Sequence, residues 1–247
     1  MQEATLYQFA LCPFCNKVRA GLELKGIPYR VVEVNPRTKA ELPALPEGAP
    51  RKVPVLVVGD QVVYDSTAIL RFLDPAYPTT LRFRPEDPAL QKRSDDIVTW
   101  VDEELIRALP TVLYGSLREA ARAARAVAKS GNFGRAGGLG VQIGGSLVMH
   151  LVAKRILKKA GRTDAHAWVR ESLEQIERWL ADGPYVCGAT LTTADVAIRG
   201  AFLCVQDFPI YESIEARPAL RAWIARVDAR KGEVHAPGSA GAQPQLD

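Results

Sequence analysis

Strand-like sequence is confined to the first quarter of this 247-residue chain, and helical spacing accounts for everything after it. Helical spacing also occurs at 13–25, where Lys17, Arg19 and Glu23 are expected to be exposed, and again after Asp65. A proline-rich stretch before the third strand could hold one further short helix. The predicted order is β-α-β-(α)-β-β-α, with strands at 4–9, 29–34, 53–58 and 61–64.

A dense group of prolines follows this α/β pattern. Such a group interrupts both helices and central strands, so it indicates a linker; its members are Pro75, Pro78, Pro85 and Pro88. We predict an α/β domain at 1–76, a linker at 77–88, an all-helical domain at 89–231 and a disordered tail at 232–247. The helical runs are expected at 89–114, 117–130, 139–159, 164–182, 193–206 and 217–230.

Composition indicates an ordinary globular protein. The formal net charge is only +4, 47% of the residues are hydrophobic, and cations are interspersed with carboxylates, which disfavours nucleic acid as a partner. Residues 1–20 lack the layout of a secretory signal. We therefore predict a cytoplasmic protein with no clear membrane span.

The longest uncharged run, 136–153, matches a membrane span only weakly, because it is rich in glycine and contains Gln142 and His150; it favours a buried or interface helix. Ala136, Gly140 and Gly144 form a ridge of small residues that would admit another helix. This ridge fits a homodimer seam or packing inside the helical domain equally well. His150, isolated in this run, is more typical of a packed histidine than of a ligand.

Cys12 and Cys15 form a CxxC motif where the first strand passes into the first helix. Cys12 would cap the helix, and the free amides and the positive end of the helix dipole would lower its thiol pKa. Cys15, one turn inside, would be the buried resolving thiol. Pro13 stiffens the turn without losing a hydrogen bond.

Two other interpretations of the motif are a zinc half-site and a pair of inert core cysteines. Zinc would need two more ligands, and Cys187, Cys204 and the three histidines show no ligand spacing, so no metal is predicted. A CxxC beside a β-α-β pattern is a strong redox signal. Cys187 and Cys204 are interpreted as small buried hydrophobic residues.

Lys52-Val53-Pro54 precedes the third strand. A cis proline here would leave the backbone N–H and C=O of Val53 free to pair with the cysteinyl part of a peptide thiol beside Cys12. The alternative is an ordinary proline at the start of a strand.

Asp65-Ser66 opens the second helix of the α/β domain. The Ser66 hydroxyl and the free amides could hold a carboxylate, while Asp65 could accept from an ammonium. An α-amino acid head group offers both charges. The alternative is that the two residues serve only as helix caps.

With CPFC at 12–15, KVPVLV at 52–57 and YDSTAIL at 64–70, the first domain resembles the glutathione transferase superfamily. That resemblance implies a thioredoxin- or glutaredoxin-like first domain and an all-helical second domain. PYVCGATLTTADVAI at 184–198 is similar to the helical-domain signature of the superfamily. In it, Thr192 and Asp195 would form a capping box, with Leu191 and Val196 as a hydrophobic staple.

Residues 6–36, RKVPVLV at 51–57, NFG at 132–134 and LVAKRILKK at 151–159 resemble the membrane-associated prostaglandin E synthase type 2 family. The likeness implies that Cys12 is the working thiol. It also implies glutathione as ligand and haem bound through the glutathione sulfur. The glutathione-binding residues expected here are Pro13, Phe14, Lys52, Val53, Pro54, Asp65 and Ser66.

The sequence departs from that family where Phe9 replaces a tyrosine of the animal enzyme, which puts prostaglandin isomerisation in doubt. The lack of long insertions and of an anchoring leader fits a compact, soluble bacterial relative. Three functions remain open: thiol-disulfide oxidoreduction through Cys12, conjugation or isomerisation by bound glutathione, and non-catalytic binding of glutathione or haem.

Overall fold

The α/β part contains one mixed four-stranded sheet. The computed structural model describes residues 3–130 and 145–233, without the side chains of 126–130. The strand order is β2-β1-β3-β4; β1 and β2 are parallel, and the other two pairs are antiparallel. The strands are β1 Ala4–Gln8, β2 Tyr29–Glu33, β3 Val55–Val58 and β4 Gln61–Tyr64.

Helix α1, Pro13–Leu24, connects the two parallel strands, and α2, Ser66–Ala76, follows β4. The predicted α/β fold is thereby confirmed. The optional helix before the third strand was wrong: residues 35–54 form turns and bends. Prolines remove backbone donors and prevent a continuous helix there; they are Pro36, Pro43, Pro46 and Pro50.

The second part of the chain is helical in the residues that the structure describes. One isolated β-bridge, between Tyr185 and Gly188, accompanies the helices. No helix among the described residues is long and apolar enough to span a bilayer. The elements are α3 Pro88–Trp100, a π-helical segment Val101–Leu105, α4 Ile106–Leu113, α5 Leu117–Ser130, α6 Ser146–Lys159, α7 Ala165–Leu180, α8 Thr193–Leu203, α9 Ile210–Glu215 and α10 Pro218–Asp228.

Some predictions fall outside the described residues. They are the small-residue ridge at Ala136, Gly140 and Gly144, the first residues of the 139–159 run, and the tail from 234 onward. Helix α2 ends at Ala76 and α3 begins at Pro88. The division into domains at these positions stays a prediction.

Helix α8 lies directly against α1, and this contact corrects one sequence prediction. Lys17, expected to be exposed, is fully buried because α8 covers its face of α1. The two helices approach closely at Gly200: a Cβ at this position would lie 2.3 Å from the Cα of Lys17. A backbone atom cannot move aside as a flexible side chain can, so the contact requires glycine.

We expect Gly200→Ala to lower the free energy of unfolding by about 3 kcal/mol through overpacking. Gly21→Ala is the matched control, because its Cβ would meet Leu70 Cδ2, the movable end of a side chain, at 2.4 Å. Chemical denaturation of both variants measures the difference. An equal or smaller loss at Gly200 would contradict the rigid contact.

Helix α8 begins with the capping box that the sequence predicted. Thr192 and Asp195 exchange hydrogen bonds between side chain and backbone. Asp195 is fully buried, and it also accepts from the amide of Val186 (3.1 Å) and from Nε1 of Trp223 (2.9 Å). One carboxylate therefore joins α8, α10 and the loop before α8.

Candidate functional site

Three adjacent strands begin or end at the sheet edge that carries the candidate site. Tyr7 of β1 pairs with Val55 of β3, which pairs in turn with Tyr64 of β4. Segments that extend a few residues past these pairs emerge at the same edge. The strand register therefore places the predicted residues Cys12 after β1, Val53 before β3 and Asp65 after β4 at one edge of the sheet.

Cys12 occupies the N-cap position of α1, where the backbone is extended (φ −79°, ψ 119°). Pro13 is the first helical residue, as predicted. Cys12 is thus the N-cap residue, as predicted, although its half-buried side chain makes no cap hydrogen bond. Sulfur is a weak acceptor, which is consistent with this result.

The two cysteines of the motif differ in acidity. The pKa of Cys12 is lowered, chiefly because the Cys15 thiol donates a hydrogen bond to its sulfur; the amides of Cys15 and Phe14 act in the same direction, and burial opposes them. The pKa of Cys15 is raised well above its ordinary value, first by burial and then by Cys12. Cys12 is therefore the more acidic thiol of the pair. The neighbouring thiol, rather than the helix N-terminus, is the largest cause.

We expect the rate of Cys12 alkylation by iodoacetamide to rise with pH through a midpoint below that of a free cysteine thiol, since the thiolate is the reacting form. Cys15→Ala should move this midpoint upward because the donor is lost. Cys15→Ser, which keeps a hydroxyl donor, is the matched control. Mass spectrometry of the alkylated peptide measures the rate. A midpoint that is the same in the wild type and in Cys15→Ala would contradict Cys15 as the main cause of the lowered pKa of Cys12.

Side chains from two parts of the chain hold the loop before Cys12. The Asn16 amide donates to the carbonyl oxygens of Ala10 (3.0 Å) and Cys12 (3.1 Å). The Cys204 thiol, at the end of α8, donates to the carbonyl oxygen of Leu11 (3.2 Å). The helical part therefore contacts the loop that presents the thiol.

Cys204 and Tyr114 also lie near Cys12, and the sequence did not predict either of them as a site residue. Burial, followed by the charge of Cys12, raises the pKa of the Cys204 thiol to about 12. Burial, followed by the charges of Cys204 and Cys12, raises the pKa of the Tyr114 hydroxyl to about 12. Cys204 is buried, as predicted, but 193 residues separate it from Leu11, so no local pattern could reveal this contact.

The Val53–Pro54 peptide bond is cis. Val53 is half-buried, Pro54 is buried and Lys52 is exposed. Pairing of β3 with β1 begins at Val55, so Val53 lies just outside the paired part of the sheet. This is the position in which an extended ligand could pair with its backbone.

Asp65 caps α2 with one carboxylate oxygen, which accepts from the amides of Thr67 (2.9 Å) and Ala68 (3.0 Å). The cap interpretation therefore applies to Asp65. Its backbone has φ 71° and ψ 127°, a conformation that costs a non-glycine residue about 1–3 kcal/mol. Ser66 is 2% exposed, at the first turn of the helix. Strained residues of this kind often occur at ligand sites.

His150 is half-buried on α6, and its Nδ1 lies 2.8 Å from the carbonyl oxygen of Tyr114. This contact favours the interpretation of a packed histidine over a haem ligand. Within residues 3–130 and 145–233, no group of three or more His, Cys, Asp or Glu side chains could hold a metal ion.

Two family models match the two parts of the chain. The model for the glutathione S-transferase N-terminal domain matches residues 6–81, and the model for the glutathione S-transferase C-terminal domain matches residues 150–231. Together with the fold, they show that the chain belongs to the glutathione S-transferase family.

Within this family the chain is similar to prostaglandin E synthase 2 over most of its length. It is 24% identical to the Mus musculus protein over 273 residues, which cover 92% of this chain and 70% of the relative. It is 25% identical to the Danio rerio protein over 268 residues, which cover 90% of this chain and 70% of that relative.

Solved structures share the fold. Beta-etherase LigF from Sphingobium sp. strain SYK-6 superposes with a TM-score of 0.62 at 21% identity, over 92% of this chain and 95% of that one. Human theta-class glutathione transferase, in complex with the glutathione conjugate of 1-menaphthyl sulfate, also superposes with a TM-score of 0.62. The identity is 22%, over 92% of this chain and 81% of that one.

Proposed function

We propose that this protein is a glutathione-dependent thiol transferase whose nucleophile is Cys12. The observation that carries the proposal is the unequal pair of thiols. Cys12 is half-buried with a lowered pKa, whereas Cys15 is fully buried with a raised one. A thiolate that a substrate can reach is the reacting form in disulfide exchange.

Glutathione would lie extended along the sheet edge beside Cys12. The backbone of Val53 would pair with its cysteinyl unit, while the amide and the hydroxyl of Ser66 would hold its γ-glutamyl carboxylate. The second oxygen of Asp65 would accept from the ammonium, since only the first makes the cap bonds. The other predicted contacts are Pro13, Phe14, Lys52 and Pro54.

The proposed reaction is reduction of a mixed disulfide between glutathione and a second thiol. The Cys12 thiolate attacks the glutathione sulfur, the S–S bond breaks, and the other thiol leaves as a thiolate that takes a proton from solvent. A second glutathione thiolate then attacks the Cys12 mixed disulfide. This releases glutathione disulfide and restores the Cys12 thiolate, so the net reaction is a thiol–disulfide exchange in which the incoming glutathione is the reductant.

Cys15 could resolve the mixed disulfide in place of the second glutathione. Its raised pKa keeps it protonated at neutral pH, and a thiol is a weak nucleophile. Resolution by glutathione is therefore the main route that we propose. Turnover should then continue when Cys15 is replaced.

The second candidate is conjugation or isomerisation, in which bound glutathione is itself the nucleophile. The similarity to prostaglandin E synthase 2 over most of the chain supports this candidate. Phe9 offers no hydroxyl near the thiol, which argues against an isomerase that needs one there. Haem has no place in the function we propose.

Calorimetric titration with glutathione, followed by parallel assays of mixed-disulfide reduction and of conjugation to an electrophile, tests the proposal. We expect glutathione binding and disulfide reduction that depends on Cys12. Conjugation that persists in Cys12→Ser, without disulfide reduction in the wild type, would favour the second candidate. Absence of glutathione binding would reject both.

A further inference from the structure

A buried ion pair joins the helical part of the chain to α1, beside the start of α2. Lys17 Nζ lies 2.8 Å from Oδ1 and 2.9 Å from Oδ2 of Asp102, which belongs to the π-helical segment. Lys17 is fully buried, and the Asp102 side chain is 25% exposed. Burial lowers the pKa of Lys17, and the charge of Asp102 acts against that shift.

Thr67 connects this ion pair to the proposed glutathione site. Its hydroxyl accepts from Lys17 Nζ (2.9 Å) and donates to Asp102 Oδ2 (3.4 Å). Its backbone amide donates to the cap oxygen of Asp65 (2.9 Å). A single residue, Thr67, therefore contacts both the ion pair and Asp65, the strained residue that caps α2.

A buried ion pair contributes little to stability compared with apolar packing of the same volume, although breaking one is costly. Its selective benefit can instead lie in fixing one geometry. Here the geometry includes the unusual backbone of Asp65, which the surrounding structure must hold in place. The charge of Asp65 also favours the charged form of Lys17.

We propose that Lys17, Asp102 and Thr67 are positioning residues that hold Asp65 and Ser66 ready for the γ-glutamyl group of glutathione. The inference rests on the function proposed above. It means that the helical part contributes to glutathione affinity, through the ion pair of Asp102 with Lys17 beside the first turn of α2. The thiol chemistry of Cys12 does not depend on it.

Thr67→Val tests this inference with little change in volume, because it removes only the hydroxyl that meets the ion pair. We expect the dissociation constant for glutathione, measured by calorimetry, to rise about fivefold, the effect of one lost hydrogen bond. Thr67→Ser should return it to within about twofold of the wild type. Asp102→Asn, which leaves Lys17 without its counter-charge, should weaken binding at least as much as Thr67→Val.

Asp96→Asn is the matched control, since it removes an exposed carboxylate on α3 that pairs with Lys92, away from α2. It should leave affinity unchanged. The Cys12 alkylation midpoint should stay constant in every variant, which a general loosening of the fold would not allow.

Wild-type affinity in Thr67→Val would overturn the inference, whether or not Asp102→Asn folds. Weaker binding together with a shifted Cys12 midpoint would also overturn it, because the effect would then be general. A wild-type protein that fails to bind glutathione, while Cys12 is still alkylated at low pH, would instead reject the proposed glutathione site and the inference with it.

Discussion

Replacement of Cys12 by serine is expected to lower the rate of glutathione-dependent reduction of a mixed disulfide by about a thousandfold or more, because the reaction loses its nucleophile. A serine hydroxyl stays protonated at neutral pH and forms no disulfide. Glutathione affinity should change little, since the proposed contacts at Val53, Asp65 and Ser66 remain. Steady-state assays with a glutathione mixed disulfide, together with calorimetry, measure both quantities.

Cys15→Ser is the matched control, since it makes the same chemical change one turn away. It should keep most of the activity, because glutathione resolves the mixed disulfide and the serine hydroxyl can still donate to Cys12. The assignment of the two thiols would be contradicted if Cys15→Ser were inactive and Cys12→Ser active.

The largest expected effect on stability is that of Asp195→Ala. The substitution leaves three donors without an acceptor: the amides of Val186 and Thr192, and Nε1 of Trp223. Part of this cost is offset, because burial raises the pKa of Asp195 and so opposes its charged form. We expect the free energy of unfolding to fall by about 4 kcal/mol.

Denaturant unfolding followed by tryptophan fluorescence measures this loss, and Trp223 lies at the site of the change. Asp195→Asn keeps one acceptor oxygen and should lose about half as much. Asp96→Ala, at an exposed ion pair, should stay within about 0.5 kcal/mol of the wild type. Equal losses of unfolding free energy in Asp96→Ala and Asp195→Ala would show that the hydrogen bonds to the buried Asp195 carboxylate do not stabilise the fold.

The fold was largely predictable because its signals are local. Short runs of β-branched residues indicated the strands, and the spacing of Thr192 and Asp195 indicated the start of α8. The cis bond at Pro54 was one of the two alternatives that the sequence left open. The optional helix before β3 was wrong because its prolines outweigh the short stretches of helix-forming residues between them.

Features that arise from contacts between distant segments could not be predicted. Lys17 has the sequence spacing of an exposed residue, and its burial results from contacts with distant segments, among them Gly200 on α8 and Asp102. The Cys204 thiol contacts the loop before Cys12 through a carbonyl group, for which no sequence signal exists. The acidity of Cys12 was predicted correctly, but its main cause, the Cys15 thiol, depends on side-chain geometry.

Incubation of the Cys15→Ser variant with glutathione disulfide, followed by peptide mass spectrometry, measures most directly whether the position 12 thiolate meets glutathione. Without the neighbouring thiol, the first exchange product should persist. We predict one glutathione per chain, attached to Cys12, with faster formation as the pH rises through the lowered pKa of this thiol. Glutathione attached at Cys187 or Cys204 instead, or a Cys12 that stays unmodified, would contradict the account.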